Sequence, residues 1–252
     1  RRGVVHAAGV LSDGVLSEQT AERVEGVLRP KVGGAWNLHE LTAGEPLEYF
    51  VLFSSTASVL GSAGQSNYAA ANAFLDALAL HRRAQGLVGQ SLSWGAWSES
   101  GLAAALKESQ KERWKRQGAK WLTPAEGIAL LASAWSRPEA HLCAMSMDMR
   151  AVSQSFGSEV PPLWRRLLRK PSIPSVKRTE VGWLGRLAKL PAASREQQVS
   201  EAVQAEVGKV LSLGSGNAVP MDRPFKEMGL DSLMAVELRN GLGQRLGKSV
   251  PA

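Results

Sequence analysis

The chain has 252 residues, 44% apolar and 21% charged, which allows one large domain or two smaller ones with a proper core and excludes wholesale disorder. Its net charge is +7, and its one cysteine, Cys143, excludes an internal disulfide framework and a cysteine-based zinc site. No uncharged apolar run reaches the roughly 18 residues of a membrane span. With a single cysteine, a reducing, cytoplasmic setting is expected.

The chain opens on Arg1-Arg2-Gly3-Val4-Val5, without an initiating Met or a signal-peptide pattern. Residues 3–9, GVVHAAG, read as the end of a buried parallel strand. Residues 15–41 read as helix, broken near Pro30 and resumed through Trp36, Leu38 and Leu41. Residues 48–55, EYFVLFSS, predict a second buried strand, 66–84 a helix stopped by Gly86, and 87–94 a third strand. Strand alternating with helix is the pattern of a parallel sheet with crossover helices, an α/β Rossmann-like architecture. Ligands then sit at the carboxyl ends of the strands, here His6–Gly9, Ser54–Ser55 and Ser93–Gly95.

Residues 98–135 read as helical, polar in their first half and placed to act as a lid. Thr123-Pro124-Ala125-Glu126 predicts a capped helix start, and 141–149 a last strand. Residues 151–194 read as a linker. Basic residues gather at 107–120 and at 165–189, the latter with Pro171 and Pro174 among them. That predicts a solvated tether, against the alternative of a nucleic-acid patch. Residues 195–212 predict an amphipathic helix through Val199, Val203 and Val207, and a further helix follows from Ser232 to Leu246.

Two constellations carry chemistry. Tyr68 and Asn72, four residues apart on one helix, share a face, and the second strand delivers Ser55 thirteen residues upstream of Tyr68. A tyrosine serves as general acid near neutrality if an ammonium lowers its pKa, and Lys31 is the candidate. The second constellation is Asp231-Ser232 at a helix start, for which an N-cap is the plain alternative.

The segments HAAGVLSDGVL (6–16), LRPKVGGAWNLHELT (28–42), FVLFSSTASVLGSAGQSNYAAANAFLDALA (50–79) and SLSWGAW (91–97) resemble the ketoreductase domain of type I modular polyketide synthases, within the short-chain dehydrogenase/reductase superfamily. The resemblance implies that Tyr68 protonates the β-keto oxygen of an acyl thioester while NADPH delivers hydride. It also implies that Ser55 hydrogen-bonds that oxygen, that Lys31 lowers the tyrosine pKa and holds the nicotinamide ribose, and that Asn72 supports the lysine and a proton relay. His6, Ala7, Ala8 and Gly9 fall on the cofactor-side strand end. Leu11-Ser12-Asp13 resembles the Leu-Asp-Asp loop of B-type ketoreductases with its middle Asp replaced, and position 60 is Leu where A-type domains carry Trp. A B-type, D-configured product is therefore expected. Leu11, Asp13, Leu60, Gln65 and Trp94 are the stereocontrol and substrate candidates, with Trp94 and Trp97 at the substrate entrance.

The string DRPFKEMGLDSLMAVELRN (222–240) resembles the attachment site of acyl carrier proteins. This implies that Ser232 carries covalent 4′-phosphopantetheine, installed by a phosphopantetheinyl transferase. The expected layout is a ketoreductase C-terminal part at 1–150, a linker at 151–194 and an incomplete all-α carrier domain at 195–252. No Gly-rich phosphate-binding turn occurs at a suitable place, so neither NADPH binding nor reduction is expected of this piece alone. The second carrier helix is expected to lack packing partners. No metal site is expected, and Cys143 is expected to be a small buried side chain. The expected partners are the acyl thioester and other domains of one megasynthase. The alternatives are a hybrid peptide–polyketide synthetase, a fatty-acid-like synthase, or a structural ketoreductase that performs no reduction.

Overall fold

In a computed structural model, the structure describes residues 2–98, 111, 114, 115, 118–156, 160–168, 183–211, 219, 220, 222–225, 227, 228, 230, 232–246 and 250. The chain divides into two compact units, Arg1–Glu159 and Val160–Ala252.

The first unit is built on four parallel strands: β1 (Gly3–His6), β2 (Tyr49–Ser55), β3 (Gln90–Trp94) and β5 (His141–Ala144), in the order β1-β2-β3-β5. Val4 pairs with Phe50, Ser54 with Ser93, and Ser91 with His141. Side chains alternate across a strand, and β2 uses both faces. Phe50 and Leu52 pack with Ala35, Leu75, Leu78 and Ala79 on one side. Val51 packs with Leu92, Trp94, Leu122, Ala134 and Ala144 on the other. Burial on both faces is why β2 is apolar without interruption instead of alternating.

Helices α1 (Ala21–Leu28), α2 (Gly34–Thr42), α3 (Ala57–Leu60), α4 (Ser66–Ala84), α5 (Pro124–Trp135) and α6 (Met149–Phe156) fill in the unit, with a small antiparallel pair, β4 (Ala119–Lys120) and β6 (Ser146–Met147). Helix α4 is closed by Gly86 at φ +77°. Helix α5 starts on a reciprocal cap: Glu126 N–H donates to Thr123 Oγ1 at 3.2 Å, and Thr123 N–H donates to Glu126 Oε2 at 2.8 Å. Gly127 lets the helix sit on Trp97, since a Cβ there would lie 2.2 Å from Trp97 Cη2.

The structure departs from the sequence reading in several places. Pro30 does not break the helix. The chain passes it in a π turn, Arg29–Gly33, and runs directly from α1 into α2. The wider i→i−5 spacing accommodates the ring that an α-helical interior would reject. The single strand expected over 141–149 is divided: β5 ends at Ala144, β6 takes Ser146–Met147, and Met149 begins a helix. Cys143 is exposed, because β5 is an edge of the described sheet. Within 151–194 lie most of α6, a 3₁₀ turn (Pro162–Trp164), α7 (Trp183–Ala188) and the start of α8 (Ala192–Val210). The candidate lid falls mostly outside the described residues, as do much of the basic stretches, Asp231 and the neighbouring glycine-rich loop.

The second unit contains α7, α8 (Ala192–Val210) and α9 (Ser232–Leu246). Contrary to expectation, α9 has a partner. Its Leu238, 7% exposed, packs with Val207 and Val219, flanked by Val203 and Leu242. The valine stripe of α8 is apolar at helical spacing, and α9 covers its Val203 and Val207, while Val199 stays exposed.

Candidate active site and carrier serine

The predicted residues of the first constellation converge at the carboxyl end of β2. The π turn carries Lys31 inward, where it is 3% exposed. Its Nζ donates to the Phe53 carbonyl at 3.1 Å and lies 5.4 Å from the centre of the Tyr68 ring. Burial lowers the Lys31 pKa from 10.5 to about 8, against the opposing pull of the Asp76 charge. Ser55 ends β2, and its Oγ accepts from Ala57 N–H at 3.2 Å. Asn72, 0% exposed, sits one turn after Tyr68 and donates from Nδ2 to the Tyr68 carbonyl at 2.7 Å. Its Oδ1 is buried without a hydrogen-bond partner among the described residues.

The electrostatics of Tyr68 differ from expectation. Burial raises its pKa above the ordinary value, and the negative charge of Asp13 adds to this, while hydrogen bonds from Ser55 and Asn72 work the other way. Desolvation of the phenolate outweighs them.

On the cofactor side, His6 is buried against Gly34, and its Nε2 has no hydrogen-bond partner among the described residues. Its pKa is lowered, first by burial and also by the Lys31 charge. Ala7 and Ala8 are exposed. Gly9 is held close to the lysine: a Cβ there would lie 2.9 Å from Lys31 Cε.

The loop around Leu11 is tied to the start of α4 and to α1. Gln65 Nε2 donates to Asp13 Oδ2 at 3.0 Å, Asn67 Nδ2 to the Ser12 carbonyl at 2.9 Å, and Arg23 Nε to Ser12 Oγ at 3.0 Å. Gly14 N–H donates to the Gly64 carbonyl at 2.8 Å. Leu11 and Leu60 are half-buried. Trp94 is not an entrance residue. It is 6% exposed and packs in the core between Phe53 and Trp97, with ring centres 5.3 and 5.1 Å away.

The sequence reading missed the latch residues Arg23 and Asn67, and it missed Asp76. Asp76 had a legible signal: it continues the Tyr68–Asn72 face by one more step of four. The second constellation is simpler. Ser232 is the first residue of α9. Among the described residues no group of three or more His, Cys, Asp or Glu is placed to hold a metal, and no helix is long and apolar enough to cross a membrane.

Comparison with known proteins follows the same division. Residues 2–99 match the KR domain family, and residues 201–252 match the phosphopantetheine attachment site family. Polyketide synthase GfsE of Streptomyces halstedii is 47% identical over 254 residues, covering 99% of this chain and 7% of the relative. Mycoketide-CoA synthase of Mycobacterium tuberculosis is 39% identical over 253 residues, covering 97% of this chain and 6% of the relative. The chain thus spans a small fraction of these relatives' length. Among solved structures, an A-type ketoreductase from a modular polyketide synthase superposes with a TM-score of 0.59 at 39% identity, over 63% of this chain and 33% of that one. The ketoreductase from the first module of phoslactomycin biosynthesis in Streptomyces sp. HK803 gives 0.59 at 34% identity, over 68% and 40%. The parallel sheet is that of the polyketide ketoreductases, a helical carrier region follows it, and the chain belongs to the type I modular polyketide synthases.

Proposed function

We propose that the first unit is the catalytic part of a ketoreductase that, within the intact parent module, reduces a carrier-bound β-ketoacyl thioester to the β-hydroxyacyl thioester with NADPH. The observation that carries this reading is the convergence of Lys31, Ser55, Tyr68 and Asn72 at one strand end. The residues present fit the nicotinamide end of the cofactor: the Gly9 backbone runs against Lys31, and His6 Nε2 and Asn72 Oδ1 are buried polar atoms without protein partners among the described residues. NADPH, when bound, supplies the hydride. Ser55 Oγ and the Tyr68 hydroxyl hold the ketone oxygen, and they bind it more strongly as negative charge develops. Tyr68 then gives up its proton to that oxygen. The raised pKa leaves the phenol protonated at neutral pH but makes it a weaker acid, so the transfer relies on the negative charge that develops on the ketone oxygen. Lys31 spends one N–H on the Phe53 carbonyl and keeps two for the ribose hydroxyls and the proton relay. Asn72 offers its side-chain oxygen to the same relay.

The loop through Leu11, Ser12 and Asp13, latched by Gln65 and Arg23, together with Leu60, supports a B-type outcome with a D-configured hydroxyl. Ser232 is the hydroxyl that takes 4′-phosphopantetheine from a phosphopantetheinyl transferase. A phosphodiester at the first residue of a helix is favoured by the free N–H groups and the helix dipole. The partners are the acyl thioester on the carrier and the other domains of the synthase, in the cytoplasm.

The test is NADPH oxidation by the intact parent module with a short β-ketoacyl thioester, with product configuration read by chiral chromatography. Tyr68→Phe should lower the rate about a hundredfold or more. A Tyr68→Phe module working at the wild-type rate overturns the reading, and an L-configured product overturns the stereochemical part alone.

A further inference from the structure

Helix α4 carries a third polar side chain in line with Tyr68 and Asn72. Asp76 is 8% exposed, and the mechanism above does not use it. Its carboxylate is a hub. Ser91 Oγ donates to Oδ1 at 2.6 Å, and Ser58 Oγ approaches Oδ2 at 2.6 Å. Ser93 Oγ lies 3.4 Å from both oxygens, and His141 Nε2 lies 3.5 Å from Oδ1. The two short contacts fall in the range of hydroxyl-to-carboxylate hydrogen bonds. These partners come from α3, β3 and β5, so one side chain of α4 gathers three other elements.

The hub reaches the reacting residues in two ways. The first is mechanical. Ser58 Oγ also lies 2.8 Å from the carbonyl of Ser55, the residue whose hydroxyl faces the ketone. Ser93 Oγ contacts Ser54 Oγ at 3.3 Å, and Ser54 Oγ donates to the Asn72 carbonyl at 3.2 Å. The end of β2 and the Tyr68 helix are thus fastened to each other through side chains around one carboxylate. The second is electrostatic. The titratable groups facing Asp76 are Lys31 from the π turn and His141 and Cys143 from β5. Those facing Lys31 are Asp76, Tyr68 and His6. Asp76 favours the charged form of Lys31, and at the Cys143 thiol, whose residue is exposed overall, partial desolvation raises the pKa and the Asp76 charge adds to it. A buried carboxylate costs stability that an apolar side chain would not, so its use at this position calls for a reason beyond packing.

We propose that Asp76 is a positioning residue of the reductase site: its carboxylate fixes the Ser55 turn against the Tyr68 helix and supplies negative charge to the Lys31 ammonium. This rests on the reductive role proposed above. The experiment is the pH–rate profile of NADPH-dependent reduction by the intact module, for wild type, Asp76→Asn, Asp76→Glu and Ser58→Ala. Asp76→Asn should lower kcat about tenfold or more, with KM changed less than about threefold. It should also move the alkaline limb about one pH unit lower, because Lys31 loses its proton more readily without the carboxylate. Asp76→Glu should return the limb to its wild-type position. Ser58→Ala should lower kcat and leave the limb in place. An Asp76→Asn profile that superimposes on wild type, or that drops without its limb moving, overturns the proposal. If Asp76→Asn is not recovered folded, Ser58→Ala decides, and a wild-type kcat there overturns the proposal. An inactive wild type removes the reductive reading and this inference together, whereas an active wild type with either overturning result removes this inference alone.

Discussion

Replacing Lys31 by Met should change the pH dependence of stability in a way that isolates the buried ammonium. Lys31 has a folded pKa of about 8 against an ordinary 10.5, and it is nearly inaccessible to solvent. Below the lower value it is protonated in both the folded and the unfolded chain, and burial of the charge weighs on the fold in full. Between the two values the folded chain has released the proton and the unfolded chain still holds it, so stability rises with pH. The whole shift corresponds to about 3 kcal/mol. Over the practical window from about pH 7.5 to 9.5 the gain is about 2 kcal/mol. Lys31→Met has no such titration. Urea unfolding followed by tryptophan fluorescence at the two pH values should show wild type gaining about 2 kcal/mol on the variant. Parallel pH dependences for the two proteins would refute the reasoning, because they would place the lysine in an environment no drier than water. The comparison is free of the offset caused by the orphaned Phe53 carbonyl, which is common to both pH values.

Three further outcomes follow from particular contacts. Thr123→Ala removes the reciprocal cap of α5 and should cost about 1 kcal/mol in urea unfolding, while Thr123→Ser should cost little. Gly127→Ala pushes a methyl group into the Trp97 ring and should cost about 1–3 kcal/mol; an unchanged unfolding midpoint would mean that Trp97 does not rest on α5. Ser232→Ala should abolish the mass gain seen on incubation with coenzyme A and a phosphopantetheinyl transferase, with helical circular dichroism retained; modification of that variant would place the attachment site elsewhere.

The parallel architecture was legible because the strands are short runs of β-branched and aromatic residues closed by small ones, as in YFVLFSS. The site was legible because Ser55, Tyr68 and Asn72 lie within one strand–loop–helix passage, where local spacing fixes what shares a face. What escaped reading depends on long-range contact. Cys143 reads as core by residue type, but its exposure depends on where β5 falls in the strand order. Trp94 ends a strand near the site, yet the same pleat that aims Ser93 at Asp76 turns the indole into the opposite layer. The Tyr68 pKa follows from its burial and from Asp13, which is distant in sequence. Asp76 looks like an ordinary polar interruption until α3, β3 and β5 are folded around it.

The π turn at Arg29–Gly33 acts as an indexing step in the helix. In an α-helix each residue advances the side-chain direction by about 100°, so one residue more or less between α1 and α2 redirects everything beyond it. The inserted residue lets α1 present Val27 to the core, the π turn Lys31 to Tyr68, and α2 Ala35 and His39 to the interior within one continuous rod. A chain shortened by one residue here could form a more regular helix, but it would lose the simultaneous alignment of those faces. The placement of the buried Lys31 is therefore specified by residue count as well as by residue type, so deletion is a harsher change here than most substitutions.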